Sequence, residues 1–153
     1  MPAAGIPVST NMVESAVIKA PLTDVWHLIK LPSFSQWWSA LEKSEVVKGT
    51  SDETDIYRFT FKDGTIQEVK QEEHSSLEYF ITFSIISSEP ALSYTSSLST
   101  IRLFPVTSGA EQGSTFVQWT GSFSGDADAG VLADAKYKRT EGLKDLAAAV
   151  SKK

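Results

Sequence analysis

Cysteine is absent from this chain of 153 residues, so it has no disulfide framework, no thiol nucleophile and no thiolate-based metal site. Histidine occurs only twice, as His27 and His74, and the two are not spaced as a metal-binding pair. A G-x-S-x-G motif and a glycine-rich phosphate loop are also missing. The sequence therefore predicts neither a metal site nor a hydrolase triad, and it implies no organic cofactor.

Long apolar runs are equally scarce, because no stretch approaches the ~20 consecutive apolar residues that a membrane span requires. Residues 1–12 lack the basic start and the apolar run of a signal peptide. We expect them to form a flexible N-terminal segment. With no signal peptide and no span in the sequence, the expected location is cytoplasmic.

An excess of positive charge is missing too, since 19 acidic residues outnumber 14 basic ones and give a net charge of −5. The one local basic cluster alternates with acidic residues along a helix, as a solvated helix face does; it consists of Lys136, Lys138, Arg139 and Lys144. Because binding to a phosphate backbone needs a coherent positive surface, nucleic acid is not an expected partner.

What the chain does contain is the composition of one soluble domain, with 41% hydrophobic and 22% charged residues. Its most informative segment is 13–38. An alternating strand over 13–19 stops at Ala20-Pro21, and a helical pattern begins at once, because proline suits the first turn of a helix. After a break at Pro32, a short second helix carries an aromatic face made of Phe34, Trp37 and Trp38.

The middle of the chain alternates between apolar and polar residues, as antiparallel strands do. A strand over 56–61 precedes a hairpin turn at Asp63-Gly64, and 65–71 returns. Further strands are predicted over 94–104 and 115–123. Between them lies a strand with one heavily apolar face, formed by Leu77, Tyr79, Ile81, Phe83 and Ile85.

Residues 126–153 predict a long amphipathic helix, with Asp126 or Asp128 as its N-cap. Arg139 falls on its apolar stripe, which must pack against the sheet. The helix offers small residues to a sheet face rich in Tyr and Phe, so an internal cavity is expected, with a filled interior as the alternative. The stripe consists of Leu132, Ala135, Leu143, Leu146 and Val150.

The order of these parts resembles the START-like helix-grip superfamily, which includes the birch-pollen allergen. The motif I-x-A-P-x-x-x-V-W carries the resemblance as Ile18, Ala20, Pro21, Val25 and Trp26. The nearest branch is similar to the polyketide cyclase/dehydrase and lipid-transport family.

This resemblance covers a single domain over about 13–150. It implies an α+β helix-grip fold in which a curved antiparallel sheet of six to seven strands wraps around a long C-terminal helix, with two short helices after the first strand. It also implies a ligand tunnel between helix and sheet. Members include carriers, receptors and enzymes, so the fold alone leaves the function open.

Glu68 is the first candidate catalytic residue that the resemblance implies. Residues 63–68 look like the D-G-x-x-x-E hairpin of lachrymatory-factor-synthase-like and cyclase-like relatives, in which the Glu projects into the pocket as an acid or base. Glu68 shares strand parity with Ile66, so an inward orientation is expected, with an outward, solvated Glu as the alternative. An apolar pocket would raise the pKa of its carboxyl, as proton transfer near neutral pH requires.

Arg58 and Tyr94 are the other two candidates. Relatives place an inward Arg on the strand before the turn, where it could hold an oxyanion. In this chain the match falls on Arg58 or Tyr57, depending on one gap, and parity favours Tyr57 together with Phe59. Tyr94 opens a Y-x-x-x-L strand in which relatives place a pocket-lining tyrosine.

The expected function is the binding of an apolar small molecule or lipid by a monomer or homodimer, in a cavity gated by the 87–93 loop and the Trp37 region. The alternative is a cofactor-independent cyclase, dehydratase or isomerase that uses the same cavity, with Glu68 as its acid or base. The expected ligand-binding residues are Trp38, Tyr57, Phe59, Tyr79, Ile81, Phe83, Trp119, Leu132, Arg139 and Leu143.

Overall fold

A computed structural model describes residues 9–47 and 55–151 of the chain. Its seven strands form one antiparallel sheet in the order β1-β7-β6-β5-β4-β3-β2, and a long C-terminal helix packs across one face. This architecture confirms the predicted α+β helix-grip fold. The elements are β1 (Ser9–Ile18), α1 (Leu22–Trp26), a 3₁₀ helix (Leu31–Gln36), β2 (Leu41–Val46), β3 (Ile56–Phe61), β4 (Ile66–Ser75), β5 (Phe80–Glu89), β6 (Ser97–Pro105), β7 (Thr115–Ser124) and α2 (Ala129–Ser151).

The junction after β1 follows the sequence prediction. Pro21 has a φ of −61° and directly precedes α1, since its ring already holds the φ that the first turn needs. The Ala20 carbonyl accepts a hydrogen bond of 2.8 Å from the Thr115 hydroxyl, which fixes the corner to β7. The Trp37 indole donates to the Leu28 carbonyl at 2.8 Å and so ties the 3₁₀ helix to α1. Neither short helix, nor α2, is long and apolar enough to cross a membrane.

The first strand begins earlier than predicted, within the segment 1–12 that was expected to be flexible. Met12 pairs with Gly121 of β7, and β1 begins at Ser9. The four residues 9–12 extend the strand and gain ladder hydrogen bonds along the edge of β7 that would otherwise be unpaired. The remainder of that segment, 1–8, lies outside the described residues.

The turn between β4 and β5 lies three residues later than the alternation suggests. β4 continues to Ser75, and Leu77 is 87% exposed in the turn rather than on the apolar face of a strand. The Ser75 hydroxyl accepts a hydrogen bond from the Glu78 amide at 3.0 Å and closes the turn. Tyr79 ends it with a φ of 59°, a left-handed conformation that a strand cannot contain.

α2 begins at Ala129, and Asp128 is the cap of the two alternatives. Its carboxylate accepts a hydrogen bond of 2.9 Å from the Val131 amide, the third of the helix, as N-cap residues do. Asp126 binds elsewhere: it accepts hydrogen bonds from Thr95 and from the Ser124 hydroxyl. The last two residues of the predicted helix, Lys152 and Lys153, lie outside the described residues.

The interface between α2 and the sheet has two different ends. Beside the C-terminal half of α2, side chains of α1, the 3₁₀ helix and the sheet are buried together with Leu143, Leu146 and Val150. Beside the N-terminal half, the same face of the sheet continues, but a cavity separates it from the helix. We call these regions the packed end and the hollow end.

Candidate functional site

The hollow end encloses a cavity of about 340 Å³. Its walls come from the ends of β3 to β7 that meet there, from the loop between β5 and β6, and from the N-terminal half of α2. A volume of this size lies within the range of small-molecule sites. The lining residues are Trp38, Phe59, Phe61, Thr65, Gln67, Val69, Phe83, Ile85, Ser88, Pro90, Ala91, Leu92, Ser93, Tyr94, Ser97, Ser99, Trp119, Phe123, Val131, Asp134, Ala135, Lys138 and Arg139.

The wall between the cavity and the packed end is aromatic. Trp38 and Trp119 meet edge to face with ring centroids 5.3 Å apart, and Phe61 contacts Trp38 at 5.8 Å in the same way. Such edge-to-face pairs hold aromatic rings in fixed orientations. Gly142 makes the arrangement possible, because a Cβ on it would lie 3.0 Å from the Trp119 ring and 3.2 Å from the Trp38 indole nitrogen.

The rim of the cavity is formed by residues 90–94 and by the first turns of α2. Pro90, Ala91 and Ser93 are exposed, so solvent reaches the cavity beside them. On the helix side, Asp134 is also exposed and forms an ion pair of 2.9 Å with Lys138. The predicted gate over 87–93 therefore lies at the opening, whereas Trp37, expected there too, is 5% exposed in the core.

Arg139 is a buried cation in this cavity wall, with 8% of its surface exposed. Its guanidinium donates to the Ser99 hydroxyl at 2.8 Å and to the Ala135 carbonyl at 3.3 Å, and it lies over the rings of Trp119 and Phe123 at 5.5 and 5.4 Å. Burial lowers the pKa of Arg139 from its ordinary value to about 10, against the opposing influence of Tyr94 and Glu14. The side chain therefore remains charged at neutral pH.

Six of the residues expected from the sequence lie together in the cavity wall. Phe59, Phe83 and Trp119 come from three strands, and the Tyr94 ring packs against Phe123 with centroids 5.7 Å apart. The remaining two are Trp38 and Arg139.

Glu68 and Arg58 are not among them, so the expected inward orientation of Glu68 is wrong, and of the alternatives Arg58 and Tyr57 it is not Arg58 that faces inward. They are direct partners across the β3–β4 hairpin and form an ion pair of 3.1 Å, with 30% and 42% of their side chains exposed. The residues beside them on the two strands, Phe59 and Gln67, face the cavity. Because side chains alternate along a strand, Glu68 and Arg58 must point to the outer face.

Tyr57 has the inward parity, but it lies one step beyond the cavity and packs against the buried core. Burial raises the pKa of its phenol, and Asp55 adds to the effect. Tyr79, Ile81 and Leu143 also belong to the packed end, where the Tyr79 ring meets Trp26 edge to face at 5.6 Å. Leu132 is half-buried on the flank of α2, and its neighbour Val131 lines the cavity instead.

Several lining residues were absent from the sequence-based set. Phe61 and Phe123 share the parity of residues that were included, so strand alternation already indicated them. Ser97 and Ser99 carried no such signal, because small polar residues do not mark the inner face of a strand. Among residues 9–47 and 55–151, no group of three or more His, Asp and Glu side chains is placed to hold a metal ion.

A seven-stranded antiparallel sheet packed on a long C-terminal helix, with a cavity between them, defines a helix-grip protein. Solved structures agree: the chain is similar to XoxI from Bacillus cereus, with 24% identity over 92% of this chain and 95% of that one and a TM-score of 0.78. It is also similar to Ara h 8.0201, with 14% identity over 95% and 100% of the two chains and a TM-score of 0.75. At these identities the likeness shows the fold alone.

The chain belongs to the polyketide cyclase/dehydrase and lipid transport family, whose model matches residues 9–151. A further similar structure is the di-domain ARO/CYC StfQ of the steffimycin biosynthetic pathway, with 17% identity and a TM-score of 0.71. The match covers 91% of this chain and 44% of StfQ. No curated protein matches the chain in sequence.

Proposed function

We propose that this protein binds an apolar small molecule or lipid in the cavity at the hollow end. The observation that carries the proposal is a cavity of about 340 Å³ whose wall is dominated by aromatic and aliphatic side chains. Burying an apolar ligand there gains roughly 25 cal/mol for each Å² removed from water. The family description, which includes lipid transport, supports the same function.

Catalysis is the weaker alternative because the cavity lacks its expected acid or base. Glu68 is on the outer face, and among the described carboxylates Asp134 alone lines the cavity. That carboxylate is exposed and ion-paired with Lys138 at 2.9 Å, so it is not the desolvated group that proton transfer near pH 7 requires.

The proposal is tested with the uncharged dye N-phenyl-1-naphthylamine, whose fluorescence rises in an apolar environment. We expect saturable binding of about one dye per chain, and roughly 2.7 kcal/mol of added stability when the free dye reaches 100 times its Kd. Ala135→Leu places three extra carbons in the cavity and should weaken binding at least about 10-fold, since the space for the ligand is lost.

Ala148→Leu is the matched control. It makes the same substitution on the same helix, but at an exposed position. It should leave dye binding unchanged. Absence of saturable binding to the unmodified chain would contradict the proposal. So would an equal loss of binding in the two variants, because the dye would then not occupy the cavity.

A further inference from the structure

Arg139 has no acidic partner in the described structure. No Asp or Glu oxygen of residues 9–47 and 55–151 lies within ion-pair distance of its guanidinium. The nearby carboxylates are already bound: Glu14 pairs with Lys136 at 2.7 Å, and Asp134 pairs with Lys138 at 2.9 Å. A buried charge normally has a partner of opposite sign, so this one calls for an explanation.

The same region has more hydrogen-bond donors than acceptors. A guanidinium carries five N–H groups, and within residues 9–47 and 55–151 only Ser99 and Ala135 accept hydrogen bonds from Arg139. In the part of the chain that the structure describes, its Nε has no hydrogen-bond partner, and neither do the buried indole nitrogens of Trp38 and Trp119. All three unpaired groups are donors, and all three belong to residues of the cavity wall. These three atoms are shielded from solvent, so what an occupant of the cavity can supply is a negative charge for the guanidinium of Arg139, which lines the cavity.

The sheet also leaves space for this cation. A Cβ on Gly121 would lie 2.9 Å from one terminal nitrogen of Arg139 and 3.1 Å from its central carbon. Any other residue at this position of β7 would push the guanidinium away from Ser99. The rings of Trp119 and Phe123 hold the cation by its faces, but a ring face accepts no in-plane N–H bond and carries no compensating charge.

We propose that the ligand of this cavity carries a carboxylate, and that Arg139 binds it while the aromatic wall holds its apolar body. The proposal rests on the function proposed above and names the chemical class of the ligand. A carboxylate supplies the negative charge that Arg139 lacks, and the planar guanidinium is suited to bind its two oxygens together. An alcohol or ester of the same shape supplies no charge, and an amine adds a second cation.

The test is competition against N-phenyl-1-naphthylamine by two ligands of equal chain length, decanoate and 1-decanol, at neutral pH. Charge-assisted hydrogen bonds predict that decanoate binds about 10- to 100-fold more tightly than decanol. Arg139→Met should bring the ratio of the decanoate affinity to the decanol affinity close to one, with the Kd of the dye measured separately for that variant. Lys144→Met is the matched control, because it also removes one positive charge from α2, but at a side chain that is 71% exposed and lies outside the cavity. This variant should keep the full preference for decanoate over decanol.

Arg139→Lys provides a second variant if the methionine protein does not fold. It keeps the charge without the planar fork, so it should retain a preference for decanoate that is smaller than that of the unmodified chain. Decanoate binding no tighter than decanol to the unmodified chain, or a ratio that survives Arg139→Met, overturns the carboxylate proposal while dye binding still supports the cavity function. Failure of the uncharged dye itself to bind overturns both.

Discussion

The packed end and the hollow end of the interface share one sheet and one helix, yet only one of them is filled. The sheet contributes large side chains at both, such as Ile81 at the packed end and Phe83 at the hollow end. The difference lies in α2, which contributes Leu143 and Leu146 to the packed end but Ala135 to the hollow end. At the packed end α2 thus fills the interface with leucines, whereas at the hollow end it presents Ala135 beside polar side chains such as Lys138 and Arg139.

The two ends also differ in what they contribute to stability. The packed end buries apolar side chains almost completely, and complete burial of each stabilises the fold by roughly 1.5–3 kcal/mol. The hollow end leaves part of its aromatic wall without contacts and buries a charge at Arg139. Stability is concentrated at one end, and the ability to bind is concentrated at the other. Four predictions, ordered from the largest expected effect to the smallest, test this contrast between the two ends.

Truncating one ring at each end measures the contrast directly. Phe34 is fully buried and packs against Phe59 and Phe83, so Phe34→Ala should lower the free energy of unfolding by about 3–5 kcal/mol. Phe61 already borders the cavity, and Phe61→Ala should cost about half as much because fewer contacts are lost. Urea denaturation of both variants gives the comparison. Equal costs would mean that the two ends are packed alike.

Removing the buried charge should stabilise the protein. Arg139→Met keeps an unbranched stem and removes the desolvation penalty of the charge, so the free energy of unfolding at pH 7 should rise by about 1–3 kcal/mol. The pKa of Arg139 is lowered to about 10 in the folded protein, so this penalty is fully present below that pH and is relieved as the pH rises toward 12.5.

The gain from Arg139→Met should accordingly shrink when denaturation is repeated at a pH above about 10. Lys144→Met controls for the loss of one surface charge and should show neither effect. A loss of stability in the Arg139 variant would show that its bonds to Ser99 and Ala135 outweigh the cost of burial.

Enlarging a buried side chain should be tolerated at the hollow end but not at the packed end. Ala135→Leu extends into the cavity and should leave the free energy of unfolding within about 1 kcal/mol of the unmodified chain, although it adds three carbons. Val25→Leu adds a single carbon at a fully buried position of the packed end and should cost about 1–3 kcal/mol. The opposite ranking in thermal or urea denaturation would contradict the contrast.

The smallest effect concerns the anchor of the rim. Hydrogen bonds from Ser124 and then from Thr95 hold the pKa of Asp126 at about 2, so the charged carboxylate secures the loop beside Tyr94. This contribution is complete above the ordinary pKa of 3.8 and is lost as the pH falls through about 2.

An NMR titration of carboxyl resonances measures the Asp126 pKa. Ser124→Ala should move it upward, toward 3.8, because the first cause of the shift is removed. The pKa of Asp63, lowered by its own contact with Thr65, should stay in place and serves as the control. An Asp126 pKa that does not respond to Ser124→Ala would show that the rim is held by other contacts.

The sequence carried enough information to predict the fold and part of the cavity. The junction at Pro21 and the alternation of β3 and β7 are local patterns, so Phe59 and Trp119 could be assigned to the inner face from neighbours along the chain. The helical period likewise identified Arg139 as a member of the buried stripe. None of these assignments required knowledge of which strands pair.

The orientation of Glu68 was predicted wrongly because it depends on how the strands pair. β4 contains two apolar residues of opposite parity, Ile66 and Val69, and periodicity alone cannot choose between them. The hairpin register pairs Phe59 with Gln67, and cross-strand partners share a face, so an inward Phe59 requires an outward Glu68. The expected inward orientations of Phe59 and Glu68 were incompatible once the turn length was known. The position of the cavity along α2 was also beyond local patterns, since it depends on how α1 covers the other end.

The tryptophan cluster has a consequence for how this protein interacts with light. Trp37, Trp38 and Trp119 lie with ring centroids 5.3 to 6.2 Å apart, close enough to exchange near-ultraviolet excitation among themselves. Trp38 and Trp119 belong to the cavity wall, and their indole N–H groups have no partner among the described residues. Excitation absorbed in this cluster is therefore emitted partly from the ligand's own surroundings. The unlabelled chain carries an optical probe of whether its cavity is occupied and of how polar the occupant is.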